Sequence, residues 1–286
     1  MPPHTHFHAR FAGLPVAPPS HQSTAAAEPL DVAALRQAGY AAVVHLAEAA
    51  STMDEARRVA ALAAPSLPCV VVADRQTGGR GRQGARWWQA PGSVAASLVV
   101  ERPGVVNPPS TWSLACGLAL AEAIAALEPA IAPRVRWPND VESYHRKLAG
   151  ILVEAVGHGR AIFGVGVNTT GRAADAPRAL RDRLVTVPDV CGRPLAPTRL
   201  LTAFLPRLLA LLDALAADPE MLPDRYRRWC ALMGQPVTIH LGGTSHHGVC
   251  RGIAADGSLV VDLPDGPRRF ASGSLTAPDA VWRGES

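Results

Sequence analysis

Four strand-like runs in the middle of the chain are joined by connections of very different length, and the shortest of these decides the fold class. LAGILVEAV (148–156) and AIFGVGVN (161–168) are separated by four residues, room for a hairpin turn and nothing more. VAASLVV (94–100) and RVRW (134–137), by contrast, flank a helical stretch over 110–127 started by Ser110, read as amphipathic. AAVVHLAEA (41–49) and CVVVAD (69–74) bracket a helix that Ser51 or Thr52 caps and that runs to Leu62. Two further helices are expected over 198–217 and 219–232. Hairpin-length gaps mixed with helical ones favour a mixed sheet over a purely parallel, doubly wound one. The pattern predicts an α+β fold, a mixed central sheet flanked by helices.

The texture changes after Gly234. PVTIHL, HHGVCRGI, SLVVDL and RRFASG are short strands at close spacing with GG and DG turns between them. About fifty residues of this kind suit a small β-barrel of SH3-like size. The expected organisation is a flexible tail with a short helix capped by Asp31 (1–39), a catalytic domain (40–232) and a C-terminal β-domain (233–286), with the boundary near Met233. His4, His6 and His8 alternate in the tail, where nothing rigid would hold them around a metal. The tail is too short for a helix-turn-helix with its own core, so no DNA-reading domain is expected there.

The start lacks the layout of a secretory signal, and no uninterrupted apolar run approaches the roughly 20 residues of a membrane span. Five scattered cysteines with no Cys-x-x-Cys pair argue against a disulfide framework or a zinc ribbon. The expectation is a cytoplasmic protein that does not engage a membrane. Its net charge of +4 permits an anionic partner without naming one.

Three segments could carry chemistry. Gly78-Gly79-Arg80-Gly81-Arg82-Gln83-Gly84-Ala85-Arg86-Trp87-Trp88 places four glycines in seven positions, with no acid between Asp74 and Glu101. Bare backbone N–H groups and guanidinium forks suit a phosphate or carboxylate. The Walker spacing is absent. A solvated turn, or an RNA-binding segment of Arg-Gly type, would share this composition.

Arg136-Trp137-Pro138-Asn139-Asp140 comes next, followed by Lys147-Leu148-Ala149-Gly150-Ile151-Leu152-Val153-Glu154. Of 28 basic residues 27 are arginine, so Lys147 is the sole lysine. One that survives such replacement suggests a position where a planar fork cannot replace a compact ammonium, although chance would also leave one. Read as a hairpin, the segment brings Asp140 and Lys147 together, as a structural ion pair or as an acid/base and metal-contacting set. Lastly, Gly164-Val165-Gly166-Val167-Asn168 leaves one strand face bare, for a flat ligand or for a packed helix.

The order GRGRQGxRWW, RWPND, KLAGILVE, GVGVN and a small C-terminal β-domain resembles the biotin protein ligases, over about residues 43–276. The resemblance implies that MgATP and biotin form biotinyl-5′-adenylate, and that the biotinyl group then passes to one lysine of a biotin carboxyl carrier protein. It implies Arg82, Lys147 and Asp140 as catalytic residues, with Asp140 as base for the acceptor amine and the place where Mg²⁺ would sit. It implies Ser51, Thr52, Met53, Gln76, Gly79, Arg80, Gly81, Arg82, Lys147 and Gly150 around biotin. For the nucleotide it implies Arg80, Arg82, Trp87, Asn139, Lys147 and Asn168, with the bare face of Gly164 and Gly166 admitting ring and adenine. Residues 78–88 are expected to order over the ligand. Three positions depart from the family pattern: Met53 where Asn is usual, Ala85 where Arg often stands and Ser93 where Asn is usual.

Other readings stand beside this one. A lipoate–protein ligase shares the catalytic architecture, but the Arg-Gly-Arg loop and C-terminal domain favour biotin. A nucleic-acid-binding protein would need stacking platforms, and aromatics make up only 5% of the chain. The short N-terminal region disfavours a biotin-dependent repressor, whereas a catalytically dead biotin-binding relative and a homodimer are left open.

Overall fold

The computed structural model describes residues 28–102, 109–157 and 159–276; most of the expected tail lies outside these. Seven strands form one sheet in the order β1-β2-β3-β7-β6-β5-β4. They are β1 (Ala42–Ala49), β2 (Cys69–Gln76), β3 (Val94–Glu101), β4 (Arg134–Arg136), β5 (Asp140–Ser143), β6 (Arg146–Val156) and β7 (Arg160–Val167). Only β1 and β2 pair in parallel, across helix α2 (Thr52–Ala60), and every other ladder is antiparallel. The sheet is mixed, as the unequal connections require.

Strand alternation sends Ala161, Phe163, Val165 and Val167 of β7 to one face and Ile162, Gly164 and Gly166 to the other. The first set joins the main core under α1 (Val32–Gln37), α3 (Pro109–Leu127), α4 (Val187–Cys191), α5 (Pro197–Ala217) and α6 (Met221–Trp229). Ile162 joins a smaller cluster with Met53, Ala56 and Ala60 of α2. A helix of nine residues covers only part of that face: Gly164 lies against Met53 in its first turn, and Gly166 against Trp87 of the glycine loop. The site is built there.

The helix expected to be amphipathic is apolar on nearly every side. Leu114, Leu118 and Ala121 are buried, as are Cys116, Leu120 and Ile124. Lying between the sheet and α5, α3 has no solvent face to keep polar. By length and composition both α3 and α5 could cross a membrane, but Glu122 interrupts the one and Arg199, Arg207 and Asp213 the other, and both pack into this core.

The expected hairpin between RVRW and LAGILVEAV is two hairpins. Asp140–Ser143 is a strand of its own, and the chain reverses at Tyr144 and His145, both in the left-handed region with φ of 47° and 63°. Such a turn usually carries Gly or Asn, so the sequence did not announce it.

The C-terminal strands β8 (Pro236–Leu241), β9 (Thr244–Ile253), β10 (Leu259–Leu263), β11 (Gly266–Phe270) and β12 (Ser274–Thr276) form an antiparallel sheet in the order β11-β10-β9-β8-β12. Among the described residues no ladder joins β11 to β12, so the expected barrel is an open sheet. It grips the seven-stranded sheet beside the Asn139-Asp140 segment: Trp137 Nε1 donates to Gly257 O at 3.0 Å, and Arg136 Nη2 to Leu275 O at 3.1 Å.

Candidate functional site

Ser51 caps α2, its hydroxyl accepting from Met53 N at 3.3 Å, and an extended backbone at Ser51 ends β1's excursion over the sheet. Thr52 is buried and polar. Its backbone N–H donates to Gln76 Oε1 at 2.9 Å, its hydroxyl to the same oxygen at 3.3 Å, and Ser97 Oγ donates to Thr52 Oγ1 at 2.8 Å. The helix start, the end of β2 and the middle of β3 are thereby tied into one hydrogen-bonded wall. Buried hydroxyls and amides need such partners, and here they find them in each other. Ser97 was not foreseen, because a serine inside an apolar strand has no motif to mark it.

The glycine loop folds back on itself. Gly81 N donates to Ala85 O at 2.7 Å and Trp87 N to Gly79 O at 3.0 Å, around a short 3₁₀ turn at Arg82–Gly84. Gln89 closes its base: its Oε1 accepts from Gln76 N at 2.9 Å, while Nε2 donates to Ser93 O at 2.9 Å. From this hairpin Arg80, Arg82, Ala85, Arg86 and Trp87 face a cleft of about 190 Å³. Arg82 Nη1 lies 3.5 Å from Asn139 Oδ1, at the limit of a hydrogen bond. Arg80 Nη2 donates to Asp54 Oδ1.

Opposite the loop stand Asn139, Asp140 and Lys147. Asn139 is fixed to β6, its Nδ2 donating to Ile151 O at 2.9 Å while Ile151 N donates to its carbonyl. Lys147 Nζ lies 2.7 Å from Asp140 Oδ1, close enough for an ion pair although not aligned as a hydrogen bond, and 5.9 Å from the centre of the Trp87 ring. The Lys147 backbone is bonded on both sides, its N–H to Arg183 O and its carbonyl to Val185 N. Nearby Glu142 is buried and paired with Arg136 at 2.9 Å. Burial pushes its carboxyl up, and the guanidinium pulls it part of the way back.

Ser51, Thr52, Met53, Gln76, Arg80, Gly81, Arg82, Trp87, Asn139, Asp140, Lys147 and Gly150 all line this one cleft. Residues from five separate stretches of chain converge as expected. Arg86, Ile151, Leu152 and Val165 line it too, within the segments singled out but given no role there, and Ala96 lines it unmarked, as an ordinary strand residue.

Some expected positions differ. Asn168 is not among the lining residues; it is buried, and its Nδ2 donates to Lys147 O at 3.2 Å and to Val185 O at 3.1 Å. It braces the lysine's backbone. Gly79 sits behind the loop, where a Cβ would come within 3.0 Å of Gln76 Nε2 and 3.3 Å of Trp87 Cβ. Gly164 and Gly166 both line the cleft, and the protein's own side chains also approach this bare face of β7: a Cβ on Gly164 would meet Met53 Sδ at 2.6 Å, and one on Gly166 would meet Trp87 Cε2 at 2.4 Å. The glycines make room for a thioether and an indole. Ser93 turns away, exchanging a hydrogen bond with the Thr170 hydroxyl at 3.0 Å.

Four cationic side chains from two walls, Arg80, Arg82, Arg86 and Lys147, with a hydrogen-bonded polar wall beside them, suit a ligand with an amide-like head and an acidic tail. The same cations can neutralise a phosphate brought against that acid. Among the described residues no three metal-binding side chains cluster. Mg²⁺, which ordinarily takes one or two carboxylates and the phosphates themselves, would arrive with a nucleotide.

Residues 49–168 match the biotin/lipoate A/B protein ligase family, and residues 232–274 match the biotin protein ligase C-terminal domain. The chain is 33% identical to a biotin–[acetyl-CoA-carboxylase] ligase of Mycobacterium tuberculosis, over 82% of this chain and 91% of the relative. It is 32% identical to that of Paracoccus denitrificans, over 68% of this chain and 85% of the relative. Among solved structures it is similar to a biotin protein ligase of Aquifex aeolicus in complex with biotin and ATP. That match has a TM-score of 0.73 at 25% identity, over 83% of this chain and all of the other.

Proposed function

Because the chain belongs to the biotin protein ligase family, we propose that it joins biotin to protein in two steps in this cleft. It is an ATP-dependent, AMP-forming ligase: biotin and MgATP give biotinyl-5′-AMP and pyrophosphate, and a lysine of a biotin carboxyl carrier protein then displaces AMP. One observation carries the assignment of residues. Arg80, Arg82 and Lys147 line the same cleft as Ser51, Thr52 and Gln76, so an acid-binding end and an amide-binding end are continuous.

In the first step a carboxylate oxygen attacks the α-phosphorus and pyrophosphate leaves. Two anions must meet, and fixed donors offset their repulsion in the transition state. We assign Arg82 and Lys147 to that junction, Arg80 to the biotin carboxylate and Trp87 to the nucleotide. Lys147 would leave Asp140 to follow the charge, as a single ammonium on a flexible stem can. The ureido ring of biotin would trade hydrogen bonds with Ser51, Thr52 and Gln76, and Met53 would give it an apolar contact in place of a polar one. Asn168 serves by bracing Lys147, and Asn139 by holding Arg82.

In the second step the acceptor amine must lose a proton before it attacks the acyl carbon, since a free lysine has a pKa of about 10.4. We assign that proton to Asp140 once Lys147 has left it; the ion pair between the two supports the reading. Neither step calls on DNA or a membrane, and we read the protein as a cytoplasmic enzyme.

The test is direct. Protein, MgATP and either biotin or lipoate are mixed, with pyrophosphate and acyl-adenylate measured by mass spectrometry. Adenylate with biotin and little with lipoate is expected; the reverse preference makes this a lipoate–protein ligase, and adenylate with neither removes the activity.

A further inference from the structure

Asp54 stands in the first turn of α2, two residues past Thr52, and does not itself line the cleft. Its Oδ1 accepts from two guanidiniums: Nη2 of Arg80, reaching over from the glycine loop, and Nη1 of Arg57 on its own helix at 2.5 Å. Arg57 is clamped in turn by Glu154 of β6, Nε to Oε2 at 2.8 Å and Nη2 to Oε1 at 2.6 Å. Glu154, Arg57, Asp54 and Arg80 thus form a row of alternating charge running from the sheet, across α2, to the loop. Only its last member lines the cleft.

An isolated exposed pair would do little, but a network with a bidentate link holds geometry as well as charge. A guanidinium carries five N–H donors in one plane. Anchoring one corner of Arg80 to a rigid carboxylate fixes that plane and leaves its other donors for a second anion. Asp54 is also a weak rival for that anion's place, since Arg57 already neutralises it.

We propose that Asp54 is a positioning residue for the ligase reaction, holding Arg80 across the gap between α2 and the glycine loop so that its free edge meets the acid group of the bound substrate. This rests on the ligase reading above. The plainer role for an acid in a helix's first turn is to favour the helix dipole, which would act on stability and not through Arg80.

A double-mutant cycle separates the two. Pyrophosphate release with biotin and MgATP is measured for wild type, Asp54→Ala, Arg80→Ala and the double variant, with melting temperatures alongside. Asp54→Ala is expected to raise KM for biotin roughly five- to tenfold, the scale of one ion-pair network, and to change kcat by no more than about twofold. In the Arg80→Ala background it should add nothing. Asp54→Asn, which keeps an acceptor oxygen, should recover part of the loss, and it carries the cycle if Asp54→Ala does not fold. Penalties that add in full, or a lowered melting temperature with KM unchanged, overturn the assignment alone. A wild-type protein that releases no pyrophosphate overturns the ligase reading and this assignment together.

Discussion

The cationic side chains of the cleft are not interchangeable. Lys147 is held between a carboxylate at 2.7 Å and an indole face, by a backbone bonded on both sides, so little but the ammonium is free to move. A guanidinium there would be larger and planar, and would pair with Asp140 through a fork that resists release. Lys147→Arg is therefore expected to slow adenylate formation about 10²–10³-fold, the scale of losing one preorganised charge contact, as read by pyrophosphate release. Asp140→Asn should slow transfer to the carrier far more than adenylate formation; equal slowing of both steps, in single-turnover measurements, would remove the base role. The sole lysine, the arginines and the paired Asn-Asp were legible in sequence because scarcity and spacing set them apart. Ser97 and Gln89 were not: they act through hydrogen bonds fixed only when β2, β3 and the loop come together.

The glycine loop and the β7 face show what elements add to residues. Glycines read as space for a ligand or for a packed helix line the cleft and also make room for Trp87 and for Met53 of α2, and pleating alone could not say which side chains would come so close. The loop's self-bonding at Gly79, Gly81, Ala85 and Trp87 is small in extent, a few backbone hydrogen bonds around a short 3₁₀ turn, so it should open locally at low cost. Amides of residues 79–88 are expected to gain protection from hydrogen exchange when biotin and ATP are added together; unchanged exchange would argue against closure over the adenylate. Element types followed from periodicity where one face is buried. At α3 the helix was legible but its enclosure on nearly every side was not, and β5, a four-residue strand just before a left-handed turn without glycine, was missed.

Across the whole molecule, the two sheets share a junction beside the site. Trp137 reaches over it to the Gly257 carbonyl, and the residues that follow Pro138 are Asn139 and Asp140. Trp137→Phe would strand that buried acceptor and is expected to destabilise the protein by about 1–3 kcal/mol in denaturant unfolding. An unchanged midpoint would mean the bond contributes nothing to holding the sheets together. The change of texture after Gly234 made a second sheet legible. Its open order was not, because strand count and turn type do not specify whether outer strands meet.

The central claim is that a carboxylate is joined to the α-phosphorus in this cleft before any amine is acylated. Biotin labelled with oxygen-18 in its carboxylate tests it most directly, with turnover onto a carrier domain and mass analysis of the nucleotide released. The bridging oxygen of the adenylate comes from the carboxylate and leaves with AMP, so AMP carrying the label is the expected result. Biotinylated carrier accompanied by unlabelled AMP, with the label in inorganic phosphate or in water, would contradict it.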